Sequence, residues 1–238
     1  GMTRQQTVQA LLAAQDTAYQ AFQSKLVPGQ DNILGVRMPA VRRIAGQIAR
    51  ADFRAWLDDP APDRWYEETM LRGIVIATAP MALEERFART AEFVPQIDNW
   101  AVCDCVCGSF DLTDRVAWWG FIQPYLHTED EFAARFGAVM LLHLFAGADD
   151  LTRTLSALCG IPAKGYNARM GVAWALSVCG VRFPAETLAF LSQAGLDDWT
   201  HNKTLQKMLE SRRLAETWRP HVKACKRRRE NRHGTIGT

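Results

Sequence analysis

Apolar residues return every three to four positions almost throughout the chain, as in Leu11, Ala14, Ala18 and Phe22, or in Val36, Val41, Ile44 and Ile48. That spacing lines them along one face of an α-helix. No stretch shows the strict alternation of a half-buried strand. Breakers interrupt the rhythm at Pro28-Gly29, Pro39, Asp58-Asp59-Pro60, Ala79-Pro80, Pro95, Gly147, Gly160-Ile161-Pro162, Pro184, Gly195 and Pro220. They predict roughly a dozen helices of ordinary length. Asp98 or Asn99 is placed to cap the helix that begins at Trp100, and Asp197 or Asp198 the next-to-last one.

Helices in pairs, about 40 residues to a pair, predict an all-α fold: an α-α superhelix, a HEAT/ARM-like repeat solenoid whose concave face suits a long ligand. A globular helical array would give a similar pattern. The 238 residues suffice for one domain with a sizeable core. It is expected over residues 1–225, with 226–238 a basic, flexible tail.

Charge changes this picture once it is divided along the chain. From Lys203 onward there are 11 basic and 3 acidic residues, against 17 and 23 before it. The C-terminal end is therefore the place for an anionic partner to dock. The segment "TRQQTVQALLAAQDTAYQAFQSK" has no continuous apolar core of a signal peptide. No apolar run reaches the roughly 18 residues that span a bilayer. A cytoplasmic protein with no membrane partner is expected, its six cysteines (103, 105, 107, 159, 179 and 225) held as buried thiols.

The densest chemistry lies in "IDNWAVCDCVCGSF", residues 97–110. Trp100 and Asp104, four apart on a helix, share a face and present an indole and a carboxylate side by side. A cationic substrate can use both, the ring by cation–π attraction and the acid by charge. The alternative is a core tryptophan and an aspartate satisfied by an arginine of a neighbouring helix. Cys103, Cys105 and Cys107 cannot converge from one helix face on a single metal, and no nearby histidine completes a site.

Three further stretches carry candidates. In "YNARMGVAWALS", Tyr166, Met170 and Trp174 form a stripe that Ser177 continues, with Arg169 adjacent; such stripes are usually core. Arg135 heads an apolar helix, either as a surface charge or as a phosphate contact or partner of Asp104. In "DDWTHNKTLQKMLESRRL", Asn202, Lys203, Gln206, Lys207, Arg212 and Arg213 can line a groove and donate to phosphate oxygens, or form an ordinary solvated face. Beyond it, "KACKRRRENR" can add salt-sensitive affinity for nucleic acid.

The order "GVRMPAVRRIA", "IDNWAVCD", "ARFGAVMLL", "YNARMGVAWAL" and "NKTLQKMLESRRL" resembles that of the bacterial DNA alkylation repair enzymes, the AlkD-like HEAT-repeat DNA glycosylases. The resemblance runs from about Val36 to about Leu214, and the W-x-x-x-D spacing is its most specific element. It implies excision of N3- or N7-alkylated purines from double-stranded DNA with no metal, cofactor or obligate protein partner. Asp104 matches the family's catalytic carboxylate, and Trp100 and Trp174 the tryptophans that line the lesion site. Two positions depart from the pattern: Phe136 and Ser177 stand where the family has arginines, which should weaken phosphate clamping. A catalytically inactive HEAT-repeat module that binds damaged or branched DNA is the second expectation, and a protein-binding solenoid a third.

Overall fold

The fold is that of a computed structural model, which describes residues 2–228. Among those residues there are fourteen α-helices and no strand, an all-α helical-repeat fold. Internal contacts gather the chain into two compact units, one up to Asp114 and one from Arg115 onward. The residues beyond Arg228, which hold most of the expected tail, lie outside the described part.

The first unit contains α1 (Arg4–Ala13), α2 (Thr17–Leu26), α3 (Met38–Ala49), α4 (Phe53–Asp58), α5 (Tyr66–Thr78), α6 (Leu83–Phe93) and α7 (Trp100–Cys107). Every second helix stacks on the next, α3 on α5 and α5 on α7, with α4 beside α3 and α6 beside α5. Helix α5 is the axis of the unit because its apolar residues face several neighbours at once: Met70, Leu71, Ile74 and Val75 are all buried. Gly73 lets α7 approach, since a Cβ there would collide with Val106 and come within 2.9 Å of the Phe93 ring.

Polar anchors fix the ends of these elements. The Glu68 carboxylate accepts from the Arg64 and Trp65 amides. The buried Arg4 guanidinium meets Asp63 at 2.7 Å and Glu68 at 3.4 Å, and Arg72 meets Asp63 at 2.7 Å. Buried pairs of this kind matter less for net stability than for the cost of breaking one partner away.

On the surface, Glu85 receives Arg54 and Arg89. Those hydrogen bonds, Arg54 first, hold its carboxyl down to about 2 against an ordinary 4.5. A lowered folded pKa means that the pair's contribution is whole above pH 4.5 and is lost as pH falls through about 2. An NMR titration of the Glu85 carboxyl should show that low midpoint; a midpoint near 4.5 would mean that the arginines do not hold it in solution.

The second unit contains α8 (Arg115–Ile122), α9 (Glu131–Leu144), α10 (Ala148–Gly160), α11 (Tyr166–Arg182), α12 (Pro184–Leu191), α13 (Asp198–Glu210) and α14 (Arg219–Ala224). Again alternate helices stack, α9 on α11 and α11 on α13. The apolar run of α9 explains its place, for Ala134, Phe136, Ala138, Val139, Met140 and Leu141 are wholly buried. Gly180 permits the α11–α13 approach, where a Cβ would meet the Met208 sulfur at 2.5 Å.

Three expectations change here. The helical rhythm from Leu11 to Phe22 belongs to two helices, because the Asp16 carboxylate accepts from the Ala18 and Tyr19 amides and starts α2 afresh. Phe22 is 58 % exposed, and among the described residues α2 buries none of its own. Phe136, where the expected pattern has an arginine, is buried against Tyr125, ring centroids 5.0 Å apart, so this side chain belongs to the core. Among the described residues no helix is long and apolar enough to cross a membrane.

Candidate functional site

Helix α7 begins as its sequence predicts. Asn99 is the cap, its side-chain oxygen accepting from the Val102 backbone amide at 2.9 Å, while its side-chain nitrogen donates to the Asp98 carboxylate at 3.0 Å. Ala101, Val102, Cys103, Val106 and Cys107 turn inward, which leaves Trp100 and Asp104 half-buried on the remaining stripe. Trp100 is not core: its indole N–H donates to the Leu26 carbonyl at 3.1 Å, tying the ring to the end of α2. Phe22 and Leu26 are exposed on that helix.

Arg42 of α3 donates to the Ser109 hydroxyl at 3.3 Å and approaches the sulfur of Cys105, the residue after Asp104, at 3.7 Å. Burial pushes the Cys105 thiol up, Arg42 and the Ser109 hydrogen bond oppose this, and the Asp104 charge adds to it. Cys105 is therefore a neutral thiol at neutral pH. All six cysteines are free, and the described residues hold no group of three metal-ligating side chains.

In the second unit α11 and α13 enclose a cleft of about 420 Å³ lined by Trp174, Ser177, Arg182, Lys207, Glu210 and Arg213. Trp174 is half-buried at its wall. Ser177 is small and turned back on its own helix, its hydroxyl donating to the Trp174 carbonyl at 2.6 Å. An arginine at 177 would project into this space. The cations come instead from Arg182, Lys207 and Arg213. The Arg182 guanidinium lies 5.1 Å from the Phe145 ring and 5.9 Å from Phe183. Arg219 donates to the Leu209 and Ser211 carbonyls and so shapes the turn that carries Arg212 and Arg213, both exposed.

The remaining candidates are placed less uniformly. Tyr166 is 58 % exposed, Met170 and Trp174 are half-buried and Ser177 is buried, so the stripe runs from the surface inward. Arg169 and Lys203 both lie against the Trp199 ring, at 4.9 and 5.5 Å. Arg135 is no surface charge: it is 7 % exposed and donates to the Asn167 carbonyl at 2.9 Å. Asn202 uses both ends of its amide on the Arg227 backbone, donating to the carbonyl and accepting from the amide at 2.8 Å each. That closed pair leaves it a clamp on the C-terminal segment rather than a groove donor. It also pins Arg227, within the segment expected to be a loose tail. Gln206 lies between Lys203 and Glu210 at 2.9 Å from each.

Sequence reasoning missed Arg182 and Trp199. Both had a signal in the spacing, Arg182 two turns beyond Trp174 and Trp199 one turn before Lys203.

The model of the DNA alkylation repair enzyme family matches residues 7–217. No curated protein and no solved structure matches the chain.

Proposed function

The chain belongs to the DNA alkylation repair enzyme family, and on that footing we propose that it is a glycosylase hydrolysing the N-glycosidic bond of positively charged N3- or N7-alkylated purines. Membership carries the coarser statement by itself: a role in the repair of alkylation damage, with DNA as the partner.

The observation that carries the finer reading is the pair on α7. Trp100 and Asp104 share its partly exposed stripe, and the indole is held in place by the Leu26 carbonyl. Indole faces attract cations. An alkylated purine is cationic, so it leaves as a neutral base when the C1′–N bond breaks and its electron pair goes to the ring. The sugar then carries oxocarbenium character. A fixed carboxylate, Asp104, stabilises that charge and orients the water whose oxygen bonds to C1′, the water's proton passing to the carboxylate or to solvent. Arg182, Lys207 and Arg213 around Trp174 hold the phosphates of the strand.

The same cationic rim favours a second reading, a DNA-binding module without catalysis, because phosphate binding needs no carboxylate. One assay separates the two. Incubated at low salt with a duplex carrying N7-methylguanine or N3-methyladenine, the protein should release the free base faster than spontaneous depurination. Binding without release from either lesion would assign the binding role.

A further inference from the structure

One cluster in the second unit stands apart from the cleft at Trp174. At the N-terminal ends of α11 and α13, Trp199 has the Arg169 guanidinium 4.9 Å and the Lys203 ammonium 5.5 Å from its ring centroid. The Tyr166 ring meets Trp199 edge-on, centroids 6.0 Å apart at 64°. Tyr166 is thereby braced along one edge while 58 % of its surface stays open to solvent.

The acids around this cluster are already engaged. Asp197 caps α13 through the Thr200 amide, and Asp198 pairs with Arg227. Glu131 accepts from the Asn167 amide at the start of α11, and Glu129 pairs with Lys164. Among the described residues neither Arg169 nor Lys203 has a carboxylate partner. Lys203 donates only to Gln206, and the buried Nε of Arg169 has no acceptor. Two cations held on one indole, with no acid to neutralise them, leave a place for an anion. The open, braced tyrosine beside them leaves a place for a flat ring.

We propose that this cluster binds one unpaired nucleotide of a DNA strand, its base stacked on Tyr166 and its phosphate between Arg169 and Lys203. Aromatic platforms next to a cationic track are how single strands are held without reading their sequence. A base inside a duplex has no free face to offer Tyr166, so the cluster selects strand ends, gaps or unstacked nucleotides. It lies about 12 Å along α11 from Trp174, eight residues at 1.5 Å each. The inference rests on the reading of this chain as a DNA-binding protein.

The test uses the full chain and two probes, a blunt 20-base-pair duplex and the same duplex with a single-stranded oligothymidine extension. The extended duplex should bind more tightly by about 5- to 150-fold, the range that one stacked base is worth. Tyr166→Leu, at a position 58 % exposed, should bring the ratio of the two affinities close to one. Arg169→Gln and Lys203→Gln together should lower the salt slope for the extended probe by about 0.7, the value of one phosphate contact. A wild-type ratio of one, with the blunt duplex still bound, would overturn this subsite alone. So would a ratio that Tyr166→Leu and Arg169→Gln leave unchanged in folded protein. No binding of either probe by the wild type would overturn both the subsite and the DNA-directed function on which it rests.

Discussion

Replacing Asp104 by asparagine should reduce base release from an N7-methylguanine duplex by at least about 100-fold, the scale of losing one fixed electrostatic contact to a developing charge. Asparagine keeps the shape of aspartate, removes its charge and turns one acceptor oxygen into an N–H donor. The reaction is the breaking of a bond that leaves positive charge on the sugar, so a neutral amide at 104 still fits the site and no longer stabilises what forms there. DNA affinity should move the other way. The duplex is a polyanion, and removing a negative charge from the surface that meets it leaves binding unchanged or tighter. This opposition is what makes the experiment decisive. A purely structural Asp104 would lose melting temperature, affinity and release together. A catalytic one loses release alone. Release that persists at the wild-type rate in a folded Asp104→Asn protein would remove the carboxylate from the chemistry.

The parts of this arrangement that depend on helical period were legible from the residues alone. The stacking of α9, α11 and α13 follows apolar runs such as "GAVMLLHL", and the capping of α7 by Asn99 and of α13 by Asp197 follows local side-chain chemistry that sequence displays. The Trp100–Asp104 stripe is legible for the same reason, because residues four apart share a face whatever the tertiary structure.

What sequence could not display is which face a neighbour covers. Phe22 has the period of a core residue and is exposed, since α2 buries none of its residues. Asn202 has the look of a groove donor, yet its partner is the Arg227 backbone, 25 residues away. Arg135 and Phe136 are both buried, though a charged and an apolar neighbour on one helix suggest opposite fates. For Asn202 and Arg135 the deciding contact is 25 and 32 residues away, and period alone carries no distance.

Replacing Glu67 should be the most destabilising single change in the first unit and should reach the candidate site through a chain of hydrogen bonds. Glu67 is 1 % exposed in the first turn of α5. One carboxylate oxygen accepts from the Leu34 amide at 2.9 Å, and the other from Gly35 and Val36 at 2.9 and 3.2 Å. These donors lie in a loop that turns at Gly35, φ +91°, and whose residues Ile33, Leu34 and Val36 are buried, so water cannot replace the acid.

Hydrogen bonds to a charged group are worth about 1.5–3 kcal/mol each and are not additive. Glu67→Ala should therefore cost on the order of 3–5 kcal/mol, and Glu67→Gln most of that, because its amide nitrogen would face a backbone N–H as donor against donor. The effect travels further. The Gly35 carbonyl accepts from Asp16 at the head of α2, and the Ile33 carbonyl from the Gln20 side chain within it. The last carbonyl of α2, Leu26, holds the Trp100 indole. Loosening the 33–36 segment should free α2 and then the ring. Glu67→Gln should thus lower base release at temperatures well below its own melting transition, and a calorimetric scan beside the release assay checks both halves. Release that stays at the wild-type rate until the protein melts would show that α2 does not need this segment to hold Trp100. A melting point equal to the wild type would show that the captured amides contribute nothing net.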